Sequence, residues 1–407
     1  MLVLAINSGS SSIKFRLVDV LEDAKGRLTT LPASLQGAVK GIGGPASFEL
    51  AGKGLQPSTA TLEIRDHAAA WEVLFDRLGA TFRGIEAVGH RVVHGGDRYA
   101  EPTVITTEVE AEIDALSELA PLHNPPCLAG IRGVRAVLGS GVPMVAVFDT
   151  GFHRAMPEVA RRYALPAELA DRHRIKRYGF HGIAHASLAQ GYADGVGVPL
   201  ERARVITLQL GNGCSITAVA YGRSIDTSMG FTPLEGLVMG TRSGDVDASI
   251  VSYLSERERV APAEVERWLN ERSGLLGLSG RSNDMRELLR AVEQEGDAQA
   301  EFAIEVFCYR VRKYIGAYLA VLGGADAVVF GGGIGENAPE IRERVCEKMD
   351  WCGLMLDAER NRSAVGLAPG RAARISRDGA RVAAYVAAAD EETWIARETA
   401  RCIKGAA

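Results

Sequence analysis

Short apolar runs and amphipathic stretches alternate along the chain. Residues 2–6 are all apolar, and a cluster of Asn, Ser and Gly follows at residues 7–12. Ile13, Phe15 and Leu17 then alternate with the basic Lys14 and Arg16. Alternation with a period of two is typical of a half-buried strand. The pattern therefore predicts a strand, a tight turn and a second strand at the beginning of the chain.

The rest of the sequence continues as strands and helices in turn. Apolar spacing predicts helices over residues 68–78, 108–119, 127–138, 261–270, 285–292, 298–322 and 339–349 and from about 392 onward. Strands are predicted over residues 85–93, 143–148, 204–210, 215–221, 327–330 and 382–387. This order indicates an α/β architecture. Residues 204–221 repeat the initial strand, glycine turn and strand, but one matched hairpin leaves an internal duplication open.

Composition sets the size and excludes some classes of protein. The chain has 407 residues, 47% of them hydrophobic and 24% charged, with a net charge of −5. At about 100–200 residues per domain we expect two or three domains. The acidic balance argues against a nucleic-acid-binding protein. The apolar stretch at 314–334 is interrupted by Gly323, Gly324 and Asp326, so we predict a core helix and a strand there, and no membrane partner.

Cysteine usage and the first residues bear on the compartment. The six cysteines include no CxxC pair, so neither a disulfide framework nor a zinc site is predicted. The first residues lack the basic segment and the long apolar run of a signal peptide. We therefore expect a cytoplasmic protein.

Three glycine-containing turns carry the first sign of chemistry. Residues 7–14 combine Gly9, several serines and Lys14, and residues 211–213 and 331–337 form two further turns after predicted strands. Backbone N–H groups and hydroxyls in such turns suit phosphate oxygens. Each turn alone could be an ordinary hairpin or loop, and the first lacks the GxxxxGK[ST] pattern of a P-loop. Together they favour a phosphate or nucleotide site.

Arginine and histidine side chains stand in turns at several strand ends. Arg91 offers a rigid fork for a carboxylate or phosphate, while His90 and His94 beside it are interpreted as structural. His181 lies between glycines, an arrangement that suits a site better than a core. Arg242 occupies a polar turn, where the alternative is a surface ion pair of little energetic value.

These motifs together resemble the acetate kinase family. Residues 4–14 resemble its first signature and residues 88–96 its second. Five further motifs follow in the family's order, at residues 149–153, 178–182, 211–213, 241–245 and 332–337. The resemblance runs from residue 4 to about 397. It implies Mg²⁺-dependent, reversible phosphoryl transfer from ATP to acetate, giving acetyl phosphate and ADP, in a homodimer.

The resemblance also implies the architecture. It predicts two related α/β domains of the actin, hexokinase and Hsp70 superfamily, with the active site in the cleft between domains. Residues 1–150 and about 385–407 are expected to form the first domain, which the C-terminal segment completes. Residues 151–384 are expected to form the second, nucleotide-binding domain.

Carried over by position, the resemblance implies roles for individual residues. Asn7 and Glu391 are expected to be linked to the metal, Mg²⁺ or Mn²⁺. Arg91 is expected to hold the substrate carboxylate, with Val93, Leu122 and Pro233 around the methyl group. Asp149, His181, Arg242, Arg91 and Asn212 are the expected catalytic residues. The expected contacts of ATP or ADP are Ser10, Ser12, Lys14, Gln209, Leu210, Gly211, Asn212, Gly213, Asp284, Met285, Arg286, Gly332, Gly333, Ile334, Gly335 and Glu336.

Three positions depart from the common pattern, and one of them, Ala248 in place of a frequent Pro after Asp247, is expected to have no consequence. Asp390 replaces the usual Asn before Glu391 and would add charge beside the metal. Arg281 stands where a small or apolar residue is usual and bears on nucleotide preference.

Charge arithmetic agrees with the implied residues. At 4 Å and an effective dielectric constant of about 20, one pair of like charges costs about 4 kcal/mol, so a carboxylate meeting a polyphosphate needs several cations. Acetate is already ionised at pH 7, so no general base is required. We therefore expect Asp149 to orient the metal or an arginine.

Other functions remain open from the sequence. A kinase for propionate or another short-chain acid would differ only in pocket volume. A non-kinase ATPase of the same superfamily is a more distant alternative, which the Arg91 motif disfavours. An NAD-dependent oxidoreductase would require an N-terminal GxGxxG unit, which this sequence lacks.

Overall fold

The computed structural model describes residues 1–9, 11–24, 26, 28–52, 55–79, 84–121 and 123–406. They divide into two compact units, residues 1–151 with 390–407 and residues 152–389. The expected change of domain at about residue 385 falls inside a strand of the second unit, so the described change comes later, at Asp390. None of the helices described is long and apolar enough to span a membrane.

The first unit is built on one mixed sheet. Its strands are β1 Leu2–Ser8, β2 Ser12–Glu22, β3 Leu28–Thr30, β4 Leu35–Lys40, β5 Gly44–Gly52, β6 Leu55–Ile64, β7 Ala87–Val92, β8 Thr103–Val104 and β9 Met144–Phe148. Its helices before residue 151 are α1 His67–Leu78, α2 Thr107–Ala115 and α3 Asn124–Leu138. The strand order is β6-β5-β4-β2-β1-β7-β9-β8, with β3 beside β2.

The second unit carries a smaller sheet. Its helices are α4 Glu158–Arg161, α5 Ala167–Arg172, α6 Gly182–Val196, α7 Ser249–Glu258, α8 Pro262–Glu271, α9 Gly274–Ser279, α10 Met285–Glu295, α11 Ala298–Leu322, α12 Gly332–Asn337, α13 Pro339–Cys346 and α14 Ala358–Ser363. Its strands are β10 Arg204–Leu210, β11 Cys214–Ala220, β12 Arg223–Thr227, β13 Ala327–Gly331, β14 Ala372–Arg374 and β15 Ala383–Ala387. The strand order is β12-β11-β10-β13-β15-β14. The last helix, α15 Glu391–Ala406, belongs to the first unit.

The two sheets share one topology. In the first, β1 pairs antiparallel with β2 and parallel with β7, β7 pairs parallel with β9, and β8 closes antiparallel on β9. In the second, β10 pairs antiparallel with β11 and parallel with β13, β13 pairs parallel with β15, and β14 closes antiparallel on β15. The α/β fold class with two related domains is therefore confirmed, and the duplication that one hairpin left open is visible in the whole strand order.

Helices cover both faces of the first sheet. α15 packs closely on β7 at Gly89, where a Cβ atom would lie 2.2 Å from Thr399 Oγ1. α3 packs on β1, and a Cβ atom at Gly130 would lie 2.4 Å from Ser8 Oγ. Asn7 contacts α15 while Ser8 faces α3, since successive strand residues point to opposite faces. The sheet thus presents Asn7 on the same face as α15.

Candidate active site

Three polar residues meet at the carboxyl ends of β1, β7 and β9. Arg91 donates from Nε and Nη2 to Asp149 Oδ2, at 3.0 and 2.5 Å, and from Nη1 to Asn7 Oδ1 at 2.9 Å. The Asp149 side chain is 1% exposed and that of Arg91 18%. A guanidinium with these partners on two of its sides is fixed in orientation. The structure therefore brings together the predicted Asn7, Arg91 and Asp149.

Glu391 joins this cluster from the start of α15. Asn7 Nδ2 donates to Glu391 Oε2 at 3.2 Å, so Asn7 bridges Arg91 and Glu391. Burial raises the pKa of Glu391 to about 7, against the lowering effect of Arg91. Lys14, paired with Asn7 in the β1–β2 ladder, is exposed and also acts to lower the pKa of this carboxyl. Burial thus outweighs the two nearby cations in its effect on the pKa of this carboxyl.

Asp390, which precedes Glu391, has partners of its own. Arg16 Nη1 donates to Asp390 Oδ1 at 2.5 Å, and the same oxygen accepts from the backbone N–H of Thr393 at 3.2 Å. A carboxylate at this position stabilises the first turn of a helix. The Asp390 carboxylate is therefore paired with Arg16, which also lies 3.8 Å from Glu392, and the expectation of added charge beside the metal stays a prediction.

The remaining predicted residues of the first unit are more varied. Val93 is buried beyond β7, and Ser12 is half-buried at the start of β2. Ser10 and Leu122 lie outside the described residues. His90 and His94 are buried, and burial lowers their pKa values to about 3 and about 4. Both stay neutral and structural, as interpreted from the sequence.

His181 and Arg242 converge on the second glycine turn. His181 precedes α6 in the left-handed region, with φ of 58°, a conformation that costs free energy for a residue with a Cβ atom. A Cβ atom at Gly213 would lie 3.4 Å from His181 Nε2 and 3.8 Å from Arg242 Nη1. Glycine at this position lets both side chains approach the turn. The two predicted catalytic residues therefore share one edge of the second unit.

Arg242 is a half-buried cation whose contacts are with neutral groups. Its Nη1 donates to the carbonyl of Pro233 at 3.4 Å and lies 3.8 Å from Met239 Sδ. In the described part of the chain, the structure gives it no ion pair, and burial lowers its pKa. Asp245, in the same loop, is engaged by Tyr314 and Arg310 instead. Arg242 thus has charge available for an anion.

Asn212 is held from two sides at the tip of the same turn. Asn283 Nδ2 donates to its Oδ1 at 3.1 Å, and its backbone carbonyl accepts from Gly240 N at 2.8 Å. A Cβ atom at Gly240 would lie 1.9 Å from Asn212 Oδ1, so only glycine leaves room there. With Oδ1 engaged by Asn283, the amide NH₂ of Asn212 is available to a ligand.

A cavity of about 520 Å³ opens beside this turn. Seven predicted nucleotide contacts line it, namely Gly211, Asn212, Asp284, Met285, Arg286, Gly333 and Ile334. Five further lining residues are not among the predicted contacts: Asn283, Leu289, Asn337, Ala338 and Glu340. Leu289 follows Met285 by one helical turn, and Asn337 and Glu340 continue the third glycine segment. Helical spacing and proximity to the motifs were the signals that could have found them.

The other predicted contacts in the second unit lie off the cavity wall. Leu210 is buried in β10, Gln209 lies in the same strand, Gly213 follows it in the turn, and Gly332 and Gly335 belong to α12. The cavity lining includes none of them. Gly332 has φ of 73°, and a Cβ atom there would lie 2.5 Å from the carbonyl oxygen of Leu210. These positions shape the backbone that the cavity needs.

Glu336 holds the third glycine turn from inside. Its Oε1 accepts from the backbone N–H groups of Gly332 at 3.0 Å and Ala389 at 3.1 Å. Burial raises the pKa of this carboxyl. The cavity lining does not include Glu336, and its carboxylate holds the backbone at residues 332 and 389.

Arg281 faces away from the cavity. It pairs with Glu295 at 2.6 Å and with Asp297 at 3.4 Å. The cavity lining does not include it. The positive charge of Arg281, which the sequence linked to nucleotide preference, is therefore paired with acidic side chains at the end of α10.

The described residues contain no group of three or more His, Cys, Asp or Glu side chains that could cage a metal ion. Mg²⁺ commonly binds through one or two carboxylates and substrate phosphates instead of a cage made only of protein ligands. The Glu391 carboxylate and the Asn7 amide offer the hard oxygen atoms that it prefers. A cation would also compensate the burial of Glu391.

Comparisons with known proteins agree with one another. The family model of the acetokinase family matches residues 2–397. An acetate kinase from Solibacter usitatus is 47% identical over 99% of this chain and 98% of its own length. The crystal structure of Porphyromonas gingivalis acetate kinase superposes with a TM-score of 0.88 at 38% identity, over 99% of each chain. A propionate kinase from Francisella tularensis also gives 0.88 at 38% identity, over 98% of this chain and 99% of its own.

Proposed function

The chain belongs to the acetokinase family, and on that premise we propose that it transfers a phosphoryl group from ATP to acetate, giving acetyl phosphate and ADP, and that it also runs in reverse. It is a phosphotransferase with a carboxyl group as acceptor. The observation that carries the proposal is the fixed guanidinium of Arg91, held by Asp149 and Asn7 at the end of β7.

Arg91 is suited to hold the acetate carboxylate. Its fork matches the two oxygens of a carboxylate, which a lysine could not do. Val93, Leu122 and Pro233 are proposed to contact the methyl group. Asp149 serves here as a positioning residue, because its carboxylate accepts two hydrogen bonds from Arg91 and the acetate nucleophile needs no base.

The cavity of the second unit is proposed to bind ATP or ADP. Met285, Leu289 and Ile334 give it apolar surface for a base, and Asn283 and Arg286 give it donors. Small-molecule sites commonly combine mostly apolar walls with a few placed polar groups. Ser10, Ser12, Lys14 and the backbone of the Gly211 and Gly332 turns are proposed to contact phosphate groups.

Mg²⁺, or Mn²⁺ in its place, is proposed to be held by Glu391, with Asn7 orienting the carboxylate. When bound, the ion supplies positive charge to the phosphate oxygens. Arg242, Arg91 and Lys14 supply further positive charge from the chain itself. Phosphoryl transfer depends mainly on such positioning and charge stabilisation. Arg242, which pairs with no carboxylate among the residues that the structure describes, suits a transition state in which the charge spreads over the phosphoryl oxygens.

We also propose a homodimer, through the face that contains α7. In that helix no residue is buried, and Ile250 and Tyr253 are 37% and 58% exposed. Apolar side chains left exposed on a helix favour an interface, and symmetric pairing of identical chains is the commonest assembly. A reaction that consumes ATP is in keeping with the cytoplasm as its location.

The decisive experiment traps the acyl phosphate with hydroxylamine. The protein is incubated with Mg-ATP and, in parallel, acetate, propionate or butyrate, and the hydroxamate is measured. Acetyl hydroxamate as the main product is expected. Mainly propionyl hydroxamate would keep the mechanism and support the propionate alternative, which the similarity to a propionate kinase structure favours second. No hydroxamate from a folded protein that binds ATP would refute the kinase assignment in favour of the ATPase.

A further inference from the structure

His181 is connected to a line of buried polar side chains. His181 and His185 are four residues apart across the start of α6, so they lie on the same side of the helix. Ser215 in β11 pairs with Gln209 in β10, so these two side chains lie on the same face of the hairpin. Thr207 is two residues before Gln209 in the same strand and therefore shares that face, which meets α6. The duplicated hairpin and α6 thus place four polar residues in sequence.

The distances join them into one chain of hydrogen bonds. Thr207 Oγ1 is 2.8 Å from His185 Nδ1, and His185 Nε2 is 2.7 Å from Ser215 Oγ. Ser215 Oγ is in turn 2.8 Å from His181 Nδ1. Thr207, His185 and Ser215 are completely buried. Burial, together with His153 and His181, lowers the pKa of His185 well below its usual value, so this imidazole is neutral.

A second histidine fixes the backbone next to His181. His153 Nε2 is 3.0 Å from the carbonyl oxygen of Phe180, which can only accept, so Nε2 carries the proton. Its Nδ1 is 2.9 Å from Ser224 Oγ. The ring also packs against Gly179, where a Cβ atom would lie 2.7 Å from it. His181 is therefore held at its backbone by His153 and at its Nδ1 by Ser215.

The direction of the hydrogen bonds follows from the ligand. An imidazole that faces phosphoryl oxygens must present an N–H, so neutral His181 carries its proton on Nε2 and accepts at Nδ1. Ser215 then donates to His181 and must accept from His185 Nε2. Neutral His185 accepts at Nδ1, and Thr207 donates to it. In this arrangement every ring nitrogen either donates or accepts, and the Ser215 hydroxyl does both. With the hydrogen bonds reversed, His181 Nε2 would direct its lone pair toward the anion.

We propose that Thr207, His185 and Ser215 form a relay that positions His181 in its Nε2–H tautomer, so that it donates a hydrogen bond to the transferred phosphoryl group. These three residues are positioning residues, since they act through His181. The proposal rests on the proposed function for the identity of the acceptor and for the direction of the hydrogen bonds, whereas the chain of contacts is present in the free protein. Hydrogen-bonding partners behind a metal-ligating histidine commonly matter about 10- to 100-fold, and we expect a loss of the same order for the partners behind His181.

The test compares Thr207→Val with Thr207→Ser. Valine has nearly the shape of threonine but cannot donate to His185, and serine keeps the hydroxyl. We expect Thr207→Val to lower kcat about 10-fold with the KM for ATP and acetate changed less than about 3-fold, while Thr207→Ser stays near the parent value. Ser215→Ala, which removes the donor to His181 itself, is expected to lower kcat about 100-fold.

Imidazole ¹⁵N NMR of the histidine-labelled protein gives a readout that does not depend on activity. The His181 signals, assigned with His181→Gln, should show the Nε2–H tautomer in the parent and in Thr207→Ser, and an increased Nδ1–H population in Thr207→Val. A pH titration of the same signals measures the pKa of His181. The titratable and charged groups near it are His185, His153, Arg242 and the Cys214 thiol.

Each outcome decides the proposal. If folded Thr207→Val and Ser215→Ala keep both the parent tautomer and the parent kcat, the relay is refuted. If Thr207→Val does not fold, Ser215→Ala and the tautomer of the parent protein decide. If the parent shows the relay tautomer but produces no hydroxamate, the relay stands and the proposed function fails, so the two failures are distinguishable.

Discussion

Replacing Asp149 by Asn tests whether this carboxylate positions Arg91 or acts as a catalytic base. Asp149 is 1% exposed and accepts from both Nε and Nη2 of Arg91. The amide keeps the shape and one acceptor oxygen but loses the negative charge. A hydrogen bond to a charged group contributes about 1.5–3 kcal/mol, so weakening two of them should cost about 3 kcal/mol in transition-state binding. That corresponds to about 100-fold in kcat/KM.

The expected losses have a distinctive distribution. Arg91 no longer presents its fork in one orientation, so the KM for acetate should rise and kcat should fall. Asn7 joins Arg91 to Glu391, so the apparent affinity for Mg²⁺ should also decrease. Both limbs of the pH–rate profile should remain, because acetate is already ionised, although loss of the Asp149 charge should lower the pKa of Glu391. The free energy of unfolding should fall by about 3 kcal/mol, since a largely buried cation loses its charged partner.

The assay measures hydroxamate formation against acetate, Mg²⁺ and pH, with urea unfolding of the same samples. Asp149→Ala is the matched comparison, because it removes the acceptors as well as the charge and should be more severe in both activity and stability. Loss of one limb of the pH–rate profile, with the dependence on acetate and Mg²⁺ unchanged, would refute the positioning role and make Asp149 a base.

Three further substitutions test separate parts of the structure. Arg242→Ala should lower kcat at least about 100-fold without loss of thermal stability, because its guanidinium has charge available for the phosphoryl group; Arg242→Lys should recover only part of the rate, and near-normal turnover of the Ala variant would remove Arg242 from the transition state. Arg281→Ser should change the KM for ATP and the ATP-to-GTP preference less than about 2-fold, because Glu295 already takes its charge; a larger change in a nucleotide titration would contradict this. Burial and Arg135 lower the pKa of His90 to about 3, so His90 stays neutral in the folded protein, while in the unfolded chain it binds a proton near pH 6.5. Its contribution to stability is therefore present above that pH, and the free energy of unfolding falls by up to about 1.4 kcal/mol per pH unit below it. Urea unfolding at pH 7, 6 and 5 should show a flatter pH dependence for His90→Met but not for the exposed His173→Gln, and parallel slopes for all three proteins would disprove this.

Local patterns predicted the elements that carry the site. Apolar runs that end in Gly or polar residues predicted the first hairpin, the strand that contains Arg91 and the strand before the third glycine segment. The structure has β1 and β2, β7 and β13 at these places. These elements are specified by residues close together in sequence. The strands β3 to β6 went unpredicted, because their pattern between residues 28 and 64 is weakly alternating and rich in Thr, Ser and Gly. Their pairing in one sheet depends on partners that the local pattern does not show.

Side-chain direction was the harder part of the site to predict. Glu336 belongs to the expected nucleotide motif, yet it binds the N–H groups of Gly332 and Ala389. Asn283 belongs to no predicted contact, yet it lines the cavity and fixes Asn212. A motif places a segment, whereas the partners of each side chain depend on residues distant in sequence. Asp390 shows the same limit, because Arg16, 374 residues away, determines whether its charge is free.

The shared topology explains why the chemistry of each unit lies at one edge of its sheet. In the first unit, Asn7, Arg91 and Asp149 come at or just after the carboxyl ends of β1, β7 and β9. In the second, the Gly211 and Gly332 turns follow the carboxyl ends of the corresponding strands β10 and β13. Ligands of open α/β sheets bind at the carboxyl ends of the strands. The same scaffold thus occurs twice, and the residues at the strand ends differ: one copy carries Arg91, which we propose to bind the carboxylate, and the other carries the cavity that we propose to bind the nucleotide. A substitution at these strand ends should consequently change activity more than stability. A substitution at the packing glycine Gly89, where Thr399 leaves no room for a Cβ atom, should change stability more than activity. Gly89→Ala is expected to lower the free energy of unfolding by at least about 2 kcal/mol, while the protein that remains folded keeps the parent KM for acetate.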